Sequence, residues 1–218
     1  MDAGFIIEID QWVWEHAASQ LRDWQHKYSV PPRMWMSVNM SASDLADPGL
    51  FESISGIVTG VGIEPTDLIV EVTESVLLDD TEQTMNFLLR LKDLGVGLAL
   101  DDFGTAFSSL SYVRRFPFDH LKLDVSFTAE LPHSVRSMLL VEEICHLATS
   151  MEMKTTAEGI ERQEQADVLR GIGCEYGQGY LFSRPIPVAD CEALLAAGGS
   201  PFPHDLIRSR IVGVGSRT

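Results

Sequence analysis

Acidic and amide residues follow several apolar segments of the sequence, at positions where they could bind a metal ion. The segment "LALDDFG" places Asp101 and Asp102 directly after an apolar run. Other apolar segments end in the same way, and the residues concerned are Asn39, Glu71, Glu74, Asp124, Glu158, Glu161 and Gln178. Lys122 is the only basic residue among them. The pattern indicates a site that gathers negative charge around one cationic side chain.

The carboxylates of Glu71, Asp101, Asp102 and Glu158 converge if the apolar segments are neighbouring parallel strands. Two carboxylates about 4 Å apart repel by roughly 4 kcal/mol at an effective dielectric near 20, so protons or cations must neutralise them. Oxygen ligands without histidine or thiolate favour Mg²⁺ or Mn²⁺, with Ca²⁺ as a competitor. Two such ions about 3.5 to 4 Å apart can polarise a phosphoryl group. Lys122 could then hold a phosphate or position and deprotonate the attacking water.

Each of these residues also has a structural explanation. Asn39 could cap a turn, Glu74 could lie in the first turn of a helix, and Lys122 could pair with Asp124 on the same strand face. Their joint placement favours function, because reactive residues of parallel α/β proteins lie at the carboxyl ends of the strands. The six histidines show no metal-binding spacing such as H-E-x-x-H.

Alternating strands and helices are predicted as the framework that positions these residues. Strands are predicted at 34–41, 67–74, 96–102, 119–124 and 152–158, and helices at 5–24, 48–62, 81–95, 134–150 and 161–173. Trp12 and Trp24 are predicted to pack in the core or against another helix. This alternation predicts parallel βα units, hence either a doubly wound sheet or a barrel. We expect one α/β domain at 1–198 and a tail at 199–218.

Composition excludes several other classes of protein. Only 16 basic residues face 32 acidic ones, a net charge of −16, which argues against DNA binding because duplex affinity depends on lysine and arginine. A small anionic ligand would need locally placed cations. The sequence has no run of about 20 apolar residues that could form a membrane span. Its three cysteines form no CxxC pair. These features predict a protein of the reducing cytoplasm.

Five segments in order resemble the EAL domain family of cyclic di-GMP phosphodiesterases: "SVNMSASDL", "VEVTES", "LALDDFGTAFSSLSYVRRFPFDHLKLDVSF", "TAEGIE" and "CEYGQGYLFSRP". The resemblance runs from about residue 4 to residue 196. It implies a modified TIM barrel that cleaves cyclic di-GMP to linear pGpG with two Mg²⁺ or Mn²⁺ ions and is inhibited by Ca²⁺. It also implies that the chain can form a homodimer and belong to a longer protein with sensory or GGDEF-type domains upstream.

The resemblance implies a role for each site residue. Asn39, Glu71, Asp101 and Glu158 would bind the first metal and Asp102 the second; Lys122 would orient or deprotonate water; Glu161 and Gln178 would support water and metal; Glu74 would anchor the loop at 102–111; Arg184 and Asp124 would contact the substrate.

The sequence also departs from the family. The Glu-Ala-Leu motif of the first barrel strand, with its nearby arginine, is not found; the triplet Glu192-Ala193-Leu194 stands near the other end in a helical context. We therefore expect a barrel that lacks its first strand and, with it, one metal ligand and one ligand-binding arginine. Arg162 replaces a common threonine. Beside hydrolysis of cyclic di-GMP, two alternatives remain: a non-catalytic module that binds cyclic di-GMP or a protein, and an unrelated metal-dependent hydrolase.

Overall fold

Strands and helices alternate along the chain, as predicted for a parallel α/β protein. The computed structural model describes residues 3–28, 34–45, 47–77, 82–104 and 110–198. The strands are β1 (Met36–Met40), β2 (Leu68–Thr73), β3 (Gly97–Phe103), β4 (His120–Leu123), β5 (Lys154–Ala157) and β6 (Tyr176–Gly177). The helices are α1 (Ala3–Lys27), α2 (Ala42–Leu45), α3 (Leu50–Val61), α4 (Glu74–Leu77), α5 (Glu82–Leu94), α6 (Leu110–Arg115), α7 (Val125–Thr128), α8 (Val135–Ser150), α9 (Gln163–Ile172) and α10 (Val188–Ala196).

The strands form one sheet in which their order follows the order of the chain. Parallel pairing joins β1 to β2, β4 to β5, and β5 to β6. Strands β2 and β4 are buried along almost their whole length. This burial explains why their sequences lack strict apolar–polar alternation, since both faces of a parallel sheet are covered.

The chain divides into two compact units, and β3 runs through both. The first unit contains the described residues up to 99 together with 110–117. Its helix α1 packs on α3 and β1. Trp14, Ala18 and Leu21 recur at helical spacing and are at most 1 % exposed, so they form the apolar stripe of this helix.

The prediction for Trp12 is wrong, whereas that for Trp24 is confirmed. Trp24 is buried, but Trp12 is 58 % exposed and stacks on His16, with 3.9 Å between the ring centroids. The reason is geometric: Trp12 lies two residues before Trp14, about 200° around the helix axis at 3.6 residues per turn. Trp14 therefore occupies the position in the core.

The second unit contains the described residues of 100–104 and 118–198. Helix α8 packs on β5 and contacts α7 and α9. The core of this unit includes residues without solvent exposure, namely Leu121, Leu123, Val141, Ala148, Ile160, Ala166 and Leu169. Buried apolar residues thus come from strands and helices alike, and they fix the strand ends from which the polar residues project.

The ten predicted strands and helices are all present, with ends shifted by a few residues. Short elements were missed: α2, α4, α6 and α7 span at most six residues, and β6 spans two. Such segments are too short for a periodic pattern. The triplet Glu192-Ala193-Leu194 lies in α10, as its helical context indicated. The tail at 199–218 and residues 105–109 lie outside the described part. No helix in the part of the chain that the structure describes has the length and apolar character needed to cross a membrane.

Candidate metal centre

Three carboxylates meet at the ends of β3 and β5 in the second unit. Asp101 and Asp102 belong to the last three residues of β3, and Glu158 directly follows β5. One carboxylate oxygen from each residue lies within 4.8 Å of the others. Asp101 and Glu158 are only 9 % and 8 % exposed, so water screens their mutual repulsion poorly. The prediction that these acids converge is therefore confirmed for the members of this cluster.

Lys122 of β4 supplies a positive charge to this cluster. Its Nζ atom lies 2.9 Å from Asp101 Oδ1 and 2.7 Å from Glu158 Oε1, and Lys122 is only 5 % exposed. Strand order accounts for the contact, because β4 lies between β3 and β5 in the sheet. Three carboxylates and one ammonium leave a formal charge of −2, which one divalent cation would neutralise.

Asp124 caps the N-terminus of a short helix, and the pairing with Lys122 that we considered stays a prediction. Its Oδ1 accepts a hydrogen bond of 2.9 Å from the backbone N–H of Ser126, and it thereby caps the N-terminus of α7. Asp at an N-cap satisfies a backbone donor that has no partner within the helix. The substrate contact implied for Asp124 stays a prediction.

The backbone at Asp102 is turned into the left-handed region. Its φ is 53°, and its N–H donates a hydrogen bond of 2.9 Å to Oδ1 of Asp101. A positive φ is uncommon in residues other than glycine, but aspartate adopts it more readily than most. Gly104 has φ of 97°, and a Cβ there would overlap the ring of Phe127. The chain therefore leaves β3 in a tightly defined direction that turns the two neighbouring aspartates toward one cluster.

In the first unit, Asn39 and Glu71 face each other across the paired strands β1 and β2. Asn39 is exposed and Glu71 is 6 % exposed. Glu74 is the first residue of α4 and is buried, as in the structural alternative that places it in a first helical turn. Its implied contact with the loop at 102–111 involves residues that the structure does not describe, and stays a prediction.

The remaining predicted site residues belong to the second unit and follow β5 and β6. Glu161 is exposed, three residues after Glu158. Gln178 follows β6, and its side-chain Oε1 is buried without a hydrogen-bond partner among the described residues. Arg184 is exposed, and its guanidinium lies over the ring of Tyr180 at 4.4 Å. Such stacking fixes the orientation of an exposed cation.

Two buried polar residues near the cluster were missed by reasoning from the sequence. Thr128 at the end of α7 has no solvent exposure, and Gln165 in the first turn of α9 is 1 % exposed. Gln165 stands three residues after Arg162, where glutamine often closes a helix N-terminus, and that spacing was the available signal. Nothing local in the sequence indicated Thr128.

The donor set of the cluster fits a hard divalent cation. Asp101, Asp102 and Glu158 offer carboxylate oxygens, and oxygen-only ligands suit Mg²⁺, Mn²⁺ or Ca²⁺. The buried Oε1 of Gln178 is a further oxygen acceptor in the same unit. A cluster of thiolate or histidine ligands is not found: within the described residues, the potential ligands that lie close together are carboxylates alone.

Parallel strands that alternate with helices, with acidic residues at the ends of β3 and β5, define an α/β protein with a candidate site for a divalent cation. The EAL domain model matches residues 1–185, and the chain belongs to this family. Its fold is the modified TIM barrel of the EAL structures, as the sequence resemblance implied.

Relatives and solved structures support this assignment. The cyclic di-GMP phosphodiesterase NbdA of Pseudomonas aeruginosa is 40 % identical over 194 residues, covering 89 % of this chain and 24 % of NbdA. The PaMucR phosphodiesterase, solved as a c-di-GMP complex, superposes with a TM-score of 0.79 at 36 % identity, over 86 % of this chain and 75 % of that one. Klebsiella pneumoniae BlrP1, solved with manganese and cyclic di-GMP, superposes with a TM-score of 0.76 at 25 % identity. This match covers 85 % of this chain and 46 % of the BlrP1 chain. The chain spans about a quarter of the length of curated relatives such as NbdA.

Proposed function

We propose that this chain binds cyclic di-GMP and hydrolyses it to linear pGpG with the help of Mg²⁺ or Mn²⁺. The observation that carries the proposal is the cluster of Asp101, Asp102 and Glu158 around Lys122. It combines an oxygen donor set for divalent cations with one buried ammonium. NbdA and PaMucR are both named as phosphodiesterases, which supports the choice of substrate.

The carboxylates of Asp101, Asp102 and Glu158 would hold the divalent cations. When bound, such ions polarise a phosphodiester and promote the attack of water on it. The manganese complex of BlrP1 supports the choice of ion, and we expect Ca²⁺ to bind without supporting turnover. Asn39 and Glu71 are proposed as further ligands from the resemblance to the EAL family alone.

Lys122 would carry out the proton and charge chemistry of the site. In the absence of divalent ions, its ammonium forms ion pairs with Asp101 and Glu158 and offsets part of their negative charge. With ions and substrate bound, the same side chain would orient the attacking water and stabilise negative charge on the phosphate. Glu161 and Gln178 are proposed to assist in placing water. Arg184, held over Tyr180, is proposed to contact the substrate, as is Asp124.

The decisive experiment is a hydrolysis assay on the purified chain. Incubation with cyclic di-GMP and Mn²⁺ or Mg²⁺ should yield pGpG, measured by chromatography, and chelation should abolish the reaction. Lys122→Ala is the inactive reference, and Lys154→Ala is the matched control because Lys154 is exposed at the start of β5. Turnover by the unaltered chain no faster than that of Lys122→Ala would reject hydrolysis. Calorimetry with cyclic di-GMP then decides whether the chain is a binding module instead.

The cellular setting and assembly of the chain are also proposals. Cys145, Cys174 and Cys191 are free and buried, which fits the reducing cytoplasm. MucR of Pseudomonas aeruginosa is named as a bifunctional diguanylate cyclase and phosphodiesterase, which supports an arrangement with a GGDEF-type domain in a longer protein. A homodimer is proposed from the family resemblance alone, and sedimentation velocity would test it.

A further inference from the structure

A buried amide, Gln165, ties together the backbone around two of the acidic residues. Its Oε1 accepts hydrogen bonds from the backbone N–H groups of Glu161, at 3.0 Å, and Arg162, at 2.9 Å. Its Nε2 donates to the backbone carbonyl of Thr128 at 2.8 Å. Because Gln165 is 1 % exposed, water cannot easily replace these bonds. The amide thus joins the start of α9 to the end of α7.

Thr128 continues this connection to Glu158. Its hydroxyl donates a hydrogen bond of 2.5 Å to the backbone carbonyl of Glu158 and lies 3.1 Å from the carbonyl of Val125. Thr128 is completely buried. Gln165 and Thr128 therefore hold the two ends of the segment 158–161, which begins with Glu158 and ends with Glu161.

The middle of the segment 158–161 is also fixed. Ile160 has no solvent exposure, its N–H donates to the carbonyl of Gln178 at 3.0 Å, and its carbonyl accepts from the N–H of Leu181 at 2.9 Å. Gly159 has φ of 67°, and a Cβ there would overlap the side chain of Val125. The segment consequently has little freedom, and the direction of the Glu158 side chain follows from its backbone.

We propose that Gln165 is a positioning residue for the metal centre, acting with Thr128 to set the places of Glu158 and Glu161. The inference rests on the proposed function, because it assigns a purpose to the placement of these acids. Closing the N-terminus of α9 explains only the bond to Arg162. The bonds that reach Glu161 and Thr128 lie outside the helix and connect it to the acid-bearing segment. Groups that orient metal ligands without touching the metal commonly change its affinity when they are removed.

Gln165→Met tests the inference, because methionine has a similar shape and no hydrogen-bonding amide. Gln163→Met is the matched control: Gln163 is exposed in the same helix and bonds only to Asp167 among its recorded contacts. We expect Gln165→Met to weaken Mn²⁺ binding about 10- to 100-fold by calorimetry and to lower kcat. The control should bind Mn²⁺ like the unaltered chain. A residue that served only as a helix cap would lower the melting temperature and leave the Mn²⁺ affinity of the folded protein unchanged.

Thr128→Val provides a second variant that keeps the shape of the core. It removes the donor to Glu158 and leaves Gln165 intact, so Mn²⁺ affinity should fall in the same direction. The double variant should lose less affinity than the two single losses combined, because both residues act on one segment. Mn²⁺ affinities of both folded single variants within twofold of the unaltered chain would overturn the inference. A loss of Mn²⁺ affinity in the double variant that equals the sum of the two single losses would also overturn the inference.

Hydrogen exchange on the metal-free protein separates this inference from the proposed function. In Gln165→Met, the amides of Glu161 and Arg162 should lose protection by at least tenfold, while the amides of β4 and β5 stay protected. If the unaltered chain bound no Mn²⁺ and formed no pGpG, the proposed function would fail and this measurement would still decide the positioning of the segment. Unchanged protection at the amides of both Glu161 and Arg162 would refute the inference that Gln165 positions this segment.

Discussion

Replacing Lys122 by methionine should make the stability of the protein depend on divalent cations. Lys122 is 5 % exposed and lies within 3 Å of two buried carboxylates. The oxygens of the three carboxylates lie within 4.8 Å of one another, and Lys122→Met removes the positive charge that pairs with two of them, Asp101 and Glu158. Removing one partner of a buried ion pair typically costs about 3 to 5 kcal/mol. We take this range for Lys122→Met.

This free energy should be visible as a shift in the melting temperature. For a chain of this size, 1 kcal/mol corresponds to about 2 to 4 °C, so Lys122→Met in chelator should melt roughly 6 to 20 °C below the unaltered chain. Divalent ions bind the folded cluster and stabilise it by mass action, by about 2.7 kcal/mol at a concentration of 100 Kd. Saturating Mg²⁺ or Mn²⁺ should therefore raise the melting temperature of the variant more than that of the unaltered chain.

Thermal unfolding in chelator and in a titration of MgCl₂ or MnCl₂ measures both effects. Lys154→Met controls for the loss of an exposed lysine, and should shift the melting temperature by no more than a few degrees in either buffer. Equal melting temperatures for Lys122→Met and Lys154→Met in chelator would show that the ammonium does not stabilise the cluster of carboxylates. Equal cation-induced shifts in the variant and the unaltered chain would refute the idea that ion and ammonium compensate the same charge.

Three further substitutions test other parts of the molecule. Glu158→Gln removes a carboxylate of the cluster, so calorimetry should show Mn²⁺ affinity at least tenfold weaker, and an unchanged affinity would exclude Glu158 as a ligand. Burial, together with the neighbouring carboxyl group of Asp44, raises the pKa of Asp10 to about 6. The contribution of this carboxyl group to the free energy of unfolding is therefore most favourable below pH 3.8 and is lost as the pH rises through 6. Asp10 is only half-buried, so solvent screening reduces the effect, and Asp10→Asn should stabilise the protein by on the order of 1 kcal/mol at pH 8 and not at pH 3.5. Urea unfolding measures this, with Glu15→Gln on the same helix as the control; equal gains at both pH values would contradict the reasoning. Gly159→Ala combines a left-handed φ with an overlap on Val125, so it should lower the free energy of unfolding by roughly 2 kcal/mol or more, and a neutral result would mean that the segment 158–161 can relax.

Prediction from the sequence succeeded where the signal is local or periodic. The long helices and the buried strands follow from apolar spacing, which reports how one segment meets its surroundings. It was less successful in choosing a face: Trp12 and Trp14 are both on α1, and only packing against α3 and β1 selects Trp14 for the core. Short elements such as β6 depend on neighbouring strands and have no periodic signal of their own.

The same division holds for the site. The sequence by itself determined the chemical inventory: acids and amides after apolar strands, one lysine among them, and motifs in the order typical of the EAL family. The tertiary structure decided which of these groups touch, and it placed Lys122 against Asp101 and Glu158. It also decided that Gln165 and Thr128 hold the segment that carries Glu158. The physical reason is that residue types and spacing are properties of one segment, whereas ion pairs and buried hydrogen bonds depend on which strands and helices become neighbours when the core packs.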